Sequence, residues 1–288
     1  MSQQEASVFV ITGGAGGMGR ACARRLGKRG VVLLADIVAD PLEQAAHQLR
    51  AEGLRVETQR CDISQEESVQ ALAEKAHAFG ALGGIAHTAG LSPTMANWQQ
   101  IIEVDLVGTT RLLKAFLRFA EQDTAVVCIA SMAGHAAIGG RLAAGQAAVD
   151  AMLDEPLHPD LLARLAPIIT TAPGAQGPSG LAYALAKYGV IRLCQREASA
   201  WGQRGARLVS LSPGIIQTAM GQQELAQQPA MQMLIAQTPL RRQGRPEEIA
   251  SAVDFLVGAD ASFITGCDLL VDGGVTGARS SNPPPGAH

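Results

Sequence analysis

Short buried-strand patterns alternate with helical patterns along most of this chain, and that rhythm constrains its fold more than any single motif. Val8-Phe9-Val10-Ile11-Thr12 is a β-branched run that stops at glycines, as a fully buried strand does. Residues 17–29 carry Cys22, Leu26 and alanines on one side and Arg20, Arg24, Arg25 and Lys28 on the other, the division expected of a surface helix. Val31 to Ala35 is a second apolar run, ending at Asp36. A helix over about 41–52 follows, then a strand at 54–60, a helix at 64–79 and a strand at 84–88. A long helix over about 97–120 and a strand at 125–130 complete the first half. Strands joined by helices of this length require right-handed crossovers, which yield a parallel sheet covered on both faces.

From about 136 to 178 the character shifts to Gly139-Gly140 and five prolines around two Ala/Leu-rich segments, 141–153 and 160–166. Structureless loops of that length are uncommon, so the stretch reads as a small helical insertion. The rhythm resumes with a helix at about 180–203, a strand at 206–212, a loop-and-helix segment at 215–240, a helix at 246–258 and a strand at 268–272. The tail, 278–288, holds Pro283-Pro284-Pro285 and is expected to be disordered. A chain of 288 residues is long enough for one large domain or two small ones.

Charge and cysteine usage exclude several functions. With 23 basic and 26 acidic residues the chain carries −3 and has no basic stripe, so it lacks the electrostatic footprint of a nucleic-acid binder. No apolar stretch is long enough to span a bilayer, and the polar start of the chain is unlike a secretory signal. Five scattered cysteines without a Cys-x-x-Cys pair argue against disulfides and zinc. A soluble, cytoplasmic protein with no nucleic-acid or membrane partner is expected. No metal is assigned: His135, His158, Asp154, Glu155 and Asp160 lack ligand spacing on a common face and read as solvated surface.

Thr12-Gly13-Gly14-Ala15-Gly16-Gly17-Met18-Gly19 lies between the first strand and the first helix. Two phosphate-loop readings fit, Gly14-x-Gly16-x-x-Gly19 and Gly13-x-x-x-Gly17-x-Gly19. In either, glycines admit a pyrophosphate to a helix N-terminus whose free N–H groups and partial positive charge hold it. Asp36 ends the next strand, where a carboxylate binds adenosine ribose hydroxyls and repels a 2′-phosphate. Ile37 supplies no compensating cation, so NAD(H) is expected over NADP(H). Asp62, ahead of Ile63, either reaches an adenine amino group or signals the start of the following helix.

Tyr183 and Lys187 are four residues apart on one predicted helical face. Together with the glycine turn, His87-Thr88-Ala89-Gly90, Ile129-Ala130-Ser131-Met132-Ala133-Gly134, Leu211-Ser212-Pro213-Gly214-Ile215-Ile216-Gln217-Thr218 and Val271-Asp272-Gly273-Gly274, the pair resembles the short-chain dehydrogenase/reductase family from Val8 to about Gly277. The resemblance implies a single doubly wound, Rossmann-type α/β domain over 1–277 with a seven-stranded parallel sheet. It implies Tyr183 as the acid/base, Lys187 as the cation lowering the Tyr183 pKa, and Ser131 as the group orienting the substrate oxygen. The implied cofactor surface comprises Gly13, Gly17, Met18, Gly19, Asp36, Ile37, Asp62, Ile63, Ala89, Gly90, Tyr183, Lys187, Pro213, Gly214, Ile216 and Thr218.

Three features depart from the usual family pattern. Asp105 stands where the family usually has an Asn that holds a water linking the lysine to solvent, so the relay persists, weakens, or gives way to an Asp105–Lys187 pair. His87-Thr88 replaces a common Asn pair, with His87 read as a packing or hydrogen-bonding group. Ser131 and Tyr183 are 52 positions apart, far beyond the usual spacing, which resembles the 3α-hydroxysteroid dehydrogenase/carbonyl reductase branch. The insertion is expected either to cap the site or to redirect the interface of a homo-oligomer, a dimer or tetramer. Residues 215–240 match the family's lid, with Met220, Met231, Met233, Leu225, Leu234 and Ile235 as an apolar wall.

The expected function is NAD(H)-dependent interconversion of a secondary alcohol and a ketone, with an apolar, steroid-like or other bulky small-molecule substrate. Reduction of a 3-oxoacyl thioester is the alternative, for which Arg241, Arg242 and Arg245 offer a thin basic patch. A dinucleotide-binding sensor or scaffold, suggested by Asp105, is the reading from another class.

Overall fold

The computed structural model describes residues 7–137, 145–172, 177–227 and 229–281. Its strands are β1 (Val8–Thr12), β2 (Val31–Asp36), β3 (Val56–Arg60), β4 (Leu82–His87), β5 (Ala125–Ile129), β6 (Arg207–Pro213) and β7 (Asp268–Val271). They form one all-parallel sheet in the order β3-β2-β1-β4-β5-β6-β7. β1 is entirely buried, and in register Val10 lies between Leu33 and Ile85. Continuous apolar runs are what strands covered on both faces require.

Side-chain alternation divides the strands between two cores. Val8, Val10 and Leu33 face one side with α3 (Glu66–Phe79), α5 (Thr109–Leu117) and α9 (Gly177–Gly202). Phe9, Ile11, Val32 and Leu34 face the other with α1 (Gly17–Leu26), α2 (Ala39–Ala51) and α12 (Pro246–Val257). Each fully buried Leu, Ile or Val contributes roughly 1.5–3 kcal/mol relative to exposure, so both faces are specified by the period-2 pattern.

The long helix expected over 97–120 is built in three parts. α4 (Trp98–Ile101) passes into a π-helical stretch, Ile102–Gly108, and then into α5. Thr109 and Thr110 hydroxyls donate to the carbonyls of Asp105 and Leu106 at 2.6 and 2.8 Å, supporting the widened turn from inside. Such turns recur at functional sites, and this one carries Asp105.

The insertion is helical in α7 (Gln146–Leu153) and α8 (Leu161–Ile169), after the short α6 (Met132–Ala137). Gly139-Gly140, the start of the predicted 141–153 segment and Pro173 lie outside the described residues. α8 runs past Pro167, where the sequence pattern stops, because a missing N–H costs one hydrogen bond rather than the helix. Val149, Leu153, Leu161, Leu165 and Ile169 form a third core with Ile101, Leu106, Leu185 and Tyr188. At the C-terminus, α10 (Ala219–Gln227) and α11 (Pro229–Gln237) occupy the predicted lid, and α13 (Val275–Ser281) follows β7. The tail expected to be disordered from 278 is thus helical through Ser281. Thr276 and Gly274 N–H groups donate to Asp272 and fix that helix's first turn. Pro283 to Pro285 lie outside the described residues.

A polar clasp ties the insertion to α9. Arg192 donates to both carboxylate oxygens of Asp154 at 2.9 and 2.7 Å and to Asp150 at 3.0 Å, while Tyr188 Oη donates to Asp150 at 3.0 Å. The Arg192 hydrogen bonds hold the Asp154 carboxyl below its ordinary range. A depressed folded pKa contributes stability above the unfolded value and loses it as pH falls through the folded one. Arg192→Ala is therefore expected to cost about 1–3 kcal/mol at neutral pH, several degrees in Tm. The difference from wild type should shrink in acid, as thermal melts across pH will show.

Candidate active site

The crevice opens at the C-terminal ends of β1 and β4, where the strand order reverses, the place where open α/β sheets bind ligands. Gly13 turns there with φ +64°, and a Cβ on it would stand 2.7 Å from the Ala89 nitrogen. A Cβ on Gly19 would collide with the Gly13 carbonyl oxygen. Gly19 belongs to both phosphate-loop readings, a Cβ on Gly14 would collide with the Leu34 side chain, and Gly17 opens α1.

Asp36 closes the turn from β2. Its Oδ2 accepts from Ala15 N at 3.0 Å, and its Oδ1 from Ile37 N at 2.8 Å. Ile37 is half exposed at that edge. Arg60, which sequence reasoning did not weigh, donates from β3 to the Ile37 carbonyl at 3.1 Å. Asp62 Oδ1 accepts from Ser64 N and Oγ at 2.9 and 2.6 Å, an Asx turn leading into α3. The Ile63 side chain enters the core, which leaves its backbone for a ligand.

At the other end of the crevice, one cavity of about 690 Å³ brings together Ser131, Tyr183 and Lys187 with Met18, Gly90, Pro213, Gly214, Ile216 and Thr218. Ala89 is partly buried beside Gly90. A Cβ on Gly90 would stand 3.1 Å from Lys187 Nζ, so glycine there leaves the ammonium accessible. This floor of small residues beside a cation, continuous with the glycine turn, fits a nicotinamide dinucleotide.

Lys187 is almost enclosed. Its ammonium donates to the Ile129 carbonyl at 3.2 Å, lies 3.2 Å from Asp105 Oδ2 and is 5.6 Å from the centre of the Tyr183 ring. Asp105 is fully buried. Its Oδ1 accepts from Leu91 N at 2.7 Å, and Oδ2 has no hydrogen-bond partner, so its contact with the ammonium is charge attraction rather than a directed hydrogen bond. The direct Asp105–Lys187 pair, one of the three outcomes weighed for Asp105, is present. Burial pushes the Asp105 carboxyl up against the pull of Lys187. Burial works against the Lys187 charge, yet the Asp105 carboxylate carries its pKa above the ordinary value.

Tyr183 feels the same groups with opposite signs. Burial pushes its phenol up, Lys187 and hydrogen bonding with Ser131 pull it down, and Asp105 and Glu224 push it up. His87 lies behind the site, buried between Thr12 Oγ1 at 2.6 Å and Thr109 Oγ1 at 2.9 Å. Burial, aided by Lys187, lowers its pKa to about 3, so it is a neutral hydrogen-bonding group.

The lid wall is narrower than expected. Met220, Met231 and Leu234 line the cavity, whereas Met233 is 66% exposed and Leu225 and Ile235 do not line it. Helical spacing alone does not tell which side of α11 faces inward. Sequence reasoning missed Glu224, a half-buried carboxyl on the cavity wall raised by burial. It also misread His135, which lines the cavity and contacts Asp268 at 2.7 Å rather than standing in solvent. In the Arg241–Arg245 patch, Arg242 pairs with Glu248 at 2.7 Å and Arg245 approaches the same carboxylate at 3.7 Å. Of the described residues of the 136–178 stretch, Ala136 at its start lines the cavity, whereas α7 and α8 contribute none of the lining.

Two family models match this architecture, one described as short chain dehydrogenase over residues 7–156 and one as Enoyl-(Acyl carrier protein) reductase over 161–276. The chain belongs to the short-chain dehydrogenase/reductase family and is an oxidoreductase acting on CH–OH groups. It is 34% identical to short-chain dehydrogenase/reductase bsc3 of Alternaria brassicicola, covering 93% of this chain and 95% of that one. It is 32% identical to cis-4-hydroxycyclohexanecarboxylate dehydrogenase of Sinomonas cyclohexanicum, covering 93% and 96%. Identity to 3-alpha-hydroxysteroid dehydrogenase/carbonyl reductase of Comamonas testosteroni is 30%, over 93% and 96%.

Removing a negative charge lowers the pH at which neighbouring groups lose protons. Tyr183 and Lys187 titrate as a unit, so Asp105→Asn is expected to move the acid limb of the alcohol-oxidation pH profile to lower pH. A profile that stays in place would mean that Asp105 holds a proton in the working enzyme.

Proposed function

We propose that this protein interconverts a cyclic secondary alcohol and its ketone with NAD(H), Tyr183 moving the proton. The convergence of Ser131, Tyr183 and Lys187 on one largely apolar cavity carries this reading. A bound nicotinamide dinucleotide supplies the hydride acceptor or donor. Ser131 Oγ donates to the substrate oxygen and holds its carbon in line. Tyr183 Oη takes the alcohol proton during oxidation or returns it to the ketone oxygen. Lys187 favours the phenolate, and Asp105 keeps Lys187 charged in a site whose burial opposes that charge. Met220, Met231 and Leu234 exclude water from the reacting atoms.

Support for NAD(H) comes from Asp36, whose carboxylate is pinned by backbone N–H groups and cannot swing away from a 2′-phosphate. Wild type is expected to favour NAD over NADP by at least about 100-fold in kcat/KM, and Asp36→Ala should erode that preference. Equal use of both cofactors would assign the phosphate to Arg60. The ring-alcohol class is supported by the relatives named for a hydroxysteroid and a hydroxycyclohexane carboxylate. Turnover of a ketone panel with NADH, read beside NADH fluorescence, tests the activity directly. Tyr183→Phe should lose about 10²–10⁴-fold in rate while still binding NADH, and near-normal turnover would remove Tyr183 from the mechanism.

The homo-oligomer is proposed to assemble through the β7 edge. Leu270 on β7 and Phe263, five residues ahead of that strand, are exposed, whereas α7 and α8 cover the α9 face. Phe263→Glu should reduce the sedimenting mass by whole subunits. A cytoplasmic location is supported by five free cysteines, four of them buried, which suit a reducing compartment. Burial holds the Cys22 thiol up at about 12. Among the described residues no helix is long and apolar enough to cross a membrane.

A further inference from the structure

The substrate cavity is not uniformly apolar. α13 turns Thr276, Arg279 and Ser280 to it, positions spaced to share one helical face. α6 adds His135, one helical turn after Ser131. Glu224 projects from α10 elsewhere on the wall, near enough to Tyr183 to influence its charge. The cavity therefore has an acidic group by the reacting atoms and a separate cluster rich in donors.

That cluster is built rather than incidental. Val275 is buried and anchors α13, and the Asp272 carboxylate behind it is taken up by the Gly274 and Thr276 N–H groups at 2.8 and 2.9 Å. Asp268 is likewise occupied: Oδ1 accepts from Ser210 and Ser212 hydroxyls at 2.6 and 3.0 Å, and Oδ2 meets His135 Nε2 at 2.7 Å. The His135 ring is fixed by that contact, its Nε2–H donating to Asp268 and its Nδ1 left as an acceptor. The Ser280 hydroxyl donates to the Thr276 carbonyl at 3.0 Å. Arg279 thus adds a full positive charge to a wall whose carboxylates are already satisfied. Among the described residues no ion pair engages it.

We propose that Arg279, with the Thr276 hydroxyl on the same helical face, forms an anion subsite for a carboxylate carried by the cyclic substrate away from its reacting carbon. The inference rests on the ring-alcohol reading and extends it to hydroxy and oxo acids. Charge sets the orientation: Arg279 draws the carboxylate to one end, and Glu224 repels it from the other, leaving the alcohol carbon beside Tyr183. A guanidinium matches a planar carboxylate with two parallel N–H bonds.

cis-4-Hydroxycyclohexanecarboxylate and its primary amide, equal in shape and different in charge, are the test substrates, each oxidised with NAD by wild type, Arg279→Gln and Arg279→Lys. Arg279→Gln is expected to lower kcat/KM for the acid about 10- to 100-fold, mostly through KM, with the amide changed less than about threefold. Arg279→Lys should recover part of the loss. Equal wild-type use of acid and amide, or equal losses on both in Arg279→Gln, would overturn the subsite and leave the alcohol dehydrogenase reading intact. Calorimetric binding of cyclohexanecarboxylate and its amide to the NAD-loaded enzyme separates the two claims. Arg279-dependent binding of the acid without turnover of either alcohol keeps the anion subsite and removes the ring-alcohol activity, whereas binding of neither compound removes the subsite.

Discussion

Everything in this molecule follows from the position of β1 between β2 and β4. The chain leaves β1 in one direction to build β2 and β3, then crosses back to build β4 through β7. Right-handed crossovers hold all seven strands parallel, so their C-terminal ends lie together and the two halves part above β1. The glycine turn, Asp36, the Gly90 segment, Ser131 and Pro213-Gly214 all occupy strand ends at that parting. Fully buried β-branched runs make the register costly to slip, and the crevice inherits their rigidity.

Above the crevice, charges are balanced in a nested order. The Lys187 ammonium is the centre, and burial opposes it. The Asp105 carboxylate compensates from the π-helical turn, which places the side chain inside the fold while Thr109 and Thr110 satisfy carbonyls on the same turn. His87 stays neutral chiefly because burial opposes its charge, with repulsion from Lys187 adding to that. Tyr183 is placed at the edge of this arrangement, where attraction from Lys187 meets opposition from burial, Asp105 and Glu224. Burial outweighs the pull of Lys187, so the Tyr183 phenol is held above its ordinary pKa.

The sequence carried the sheet and the location of the site because both depend on local pattern. β1 reads as a strand from five residues, and the Tyr183–Lys187 pair from helical spacing. What was not legible depends on partners far along the chain. His135 looks like a surface histidine until Asp268, 133 positions on, is folded beneath it. Glu224 is one acid among many on a polar segment until α10 places it on the cavity wall. Asp105 was visible as a departure, yet only packing decides between a water and Lys187 as its neighbour. Met233 and Met231 are indistinguishable by composition, and a small rotation of α11 separates them. The π-helical turn leaves no periodic signature, since it changes one turn within an otherwise continuous helix.

The clasp between the insertion and α9 has a consequence for how the reacting groups are held. Arg192 and Tyr188 lie on the same helix as Tyr183 and Lys187, Tyr188 directly after Lys187 and Arg192 between one and two turns beyond it. Their partners, Asp150 and Asp154, come from the same polypeptide. A helix braced by a neighbouring subunit loses its brace by mass action as the protein is diluted. Here the brace has a fixed effective concentration set by the connecting chain. The alignment of this helix is therefore a property of the single folded chain, retained at any protein concentration.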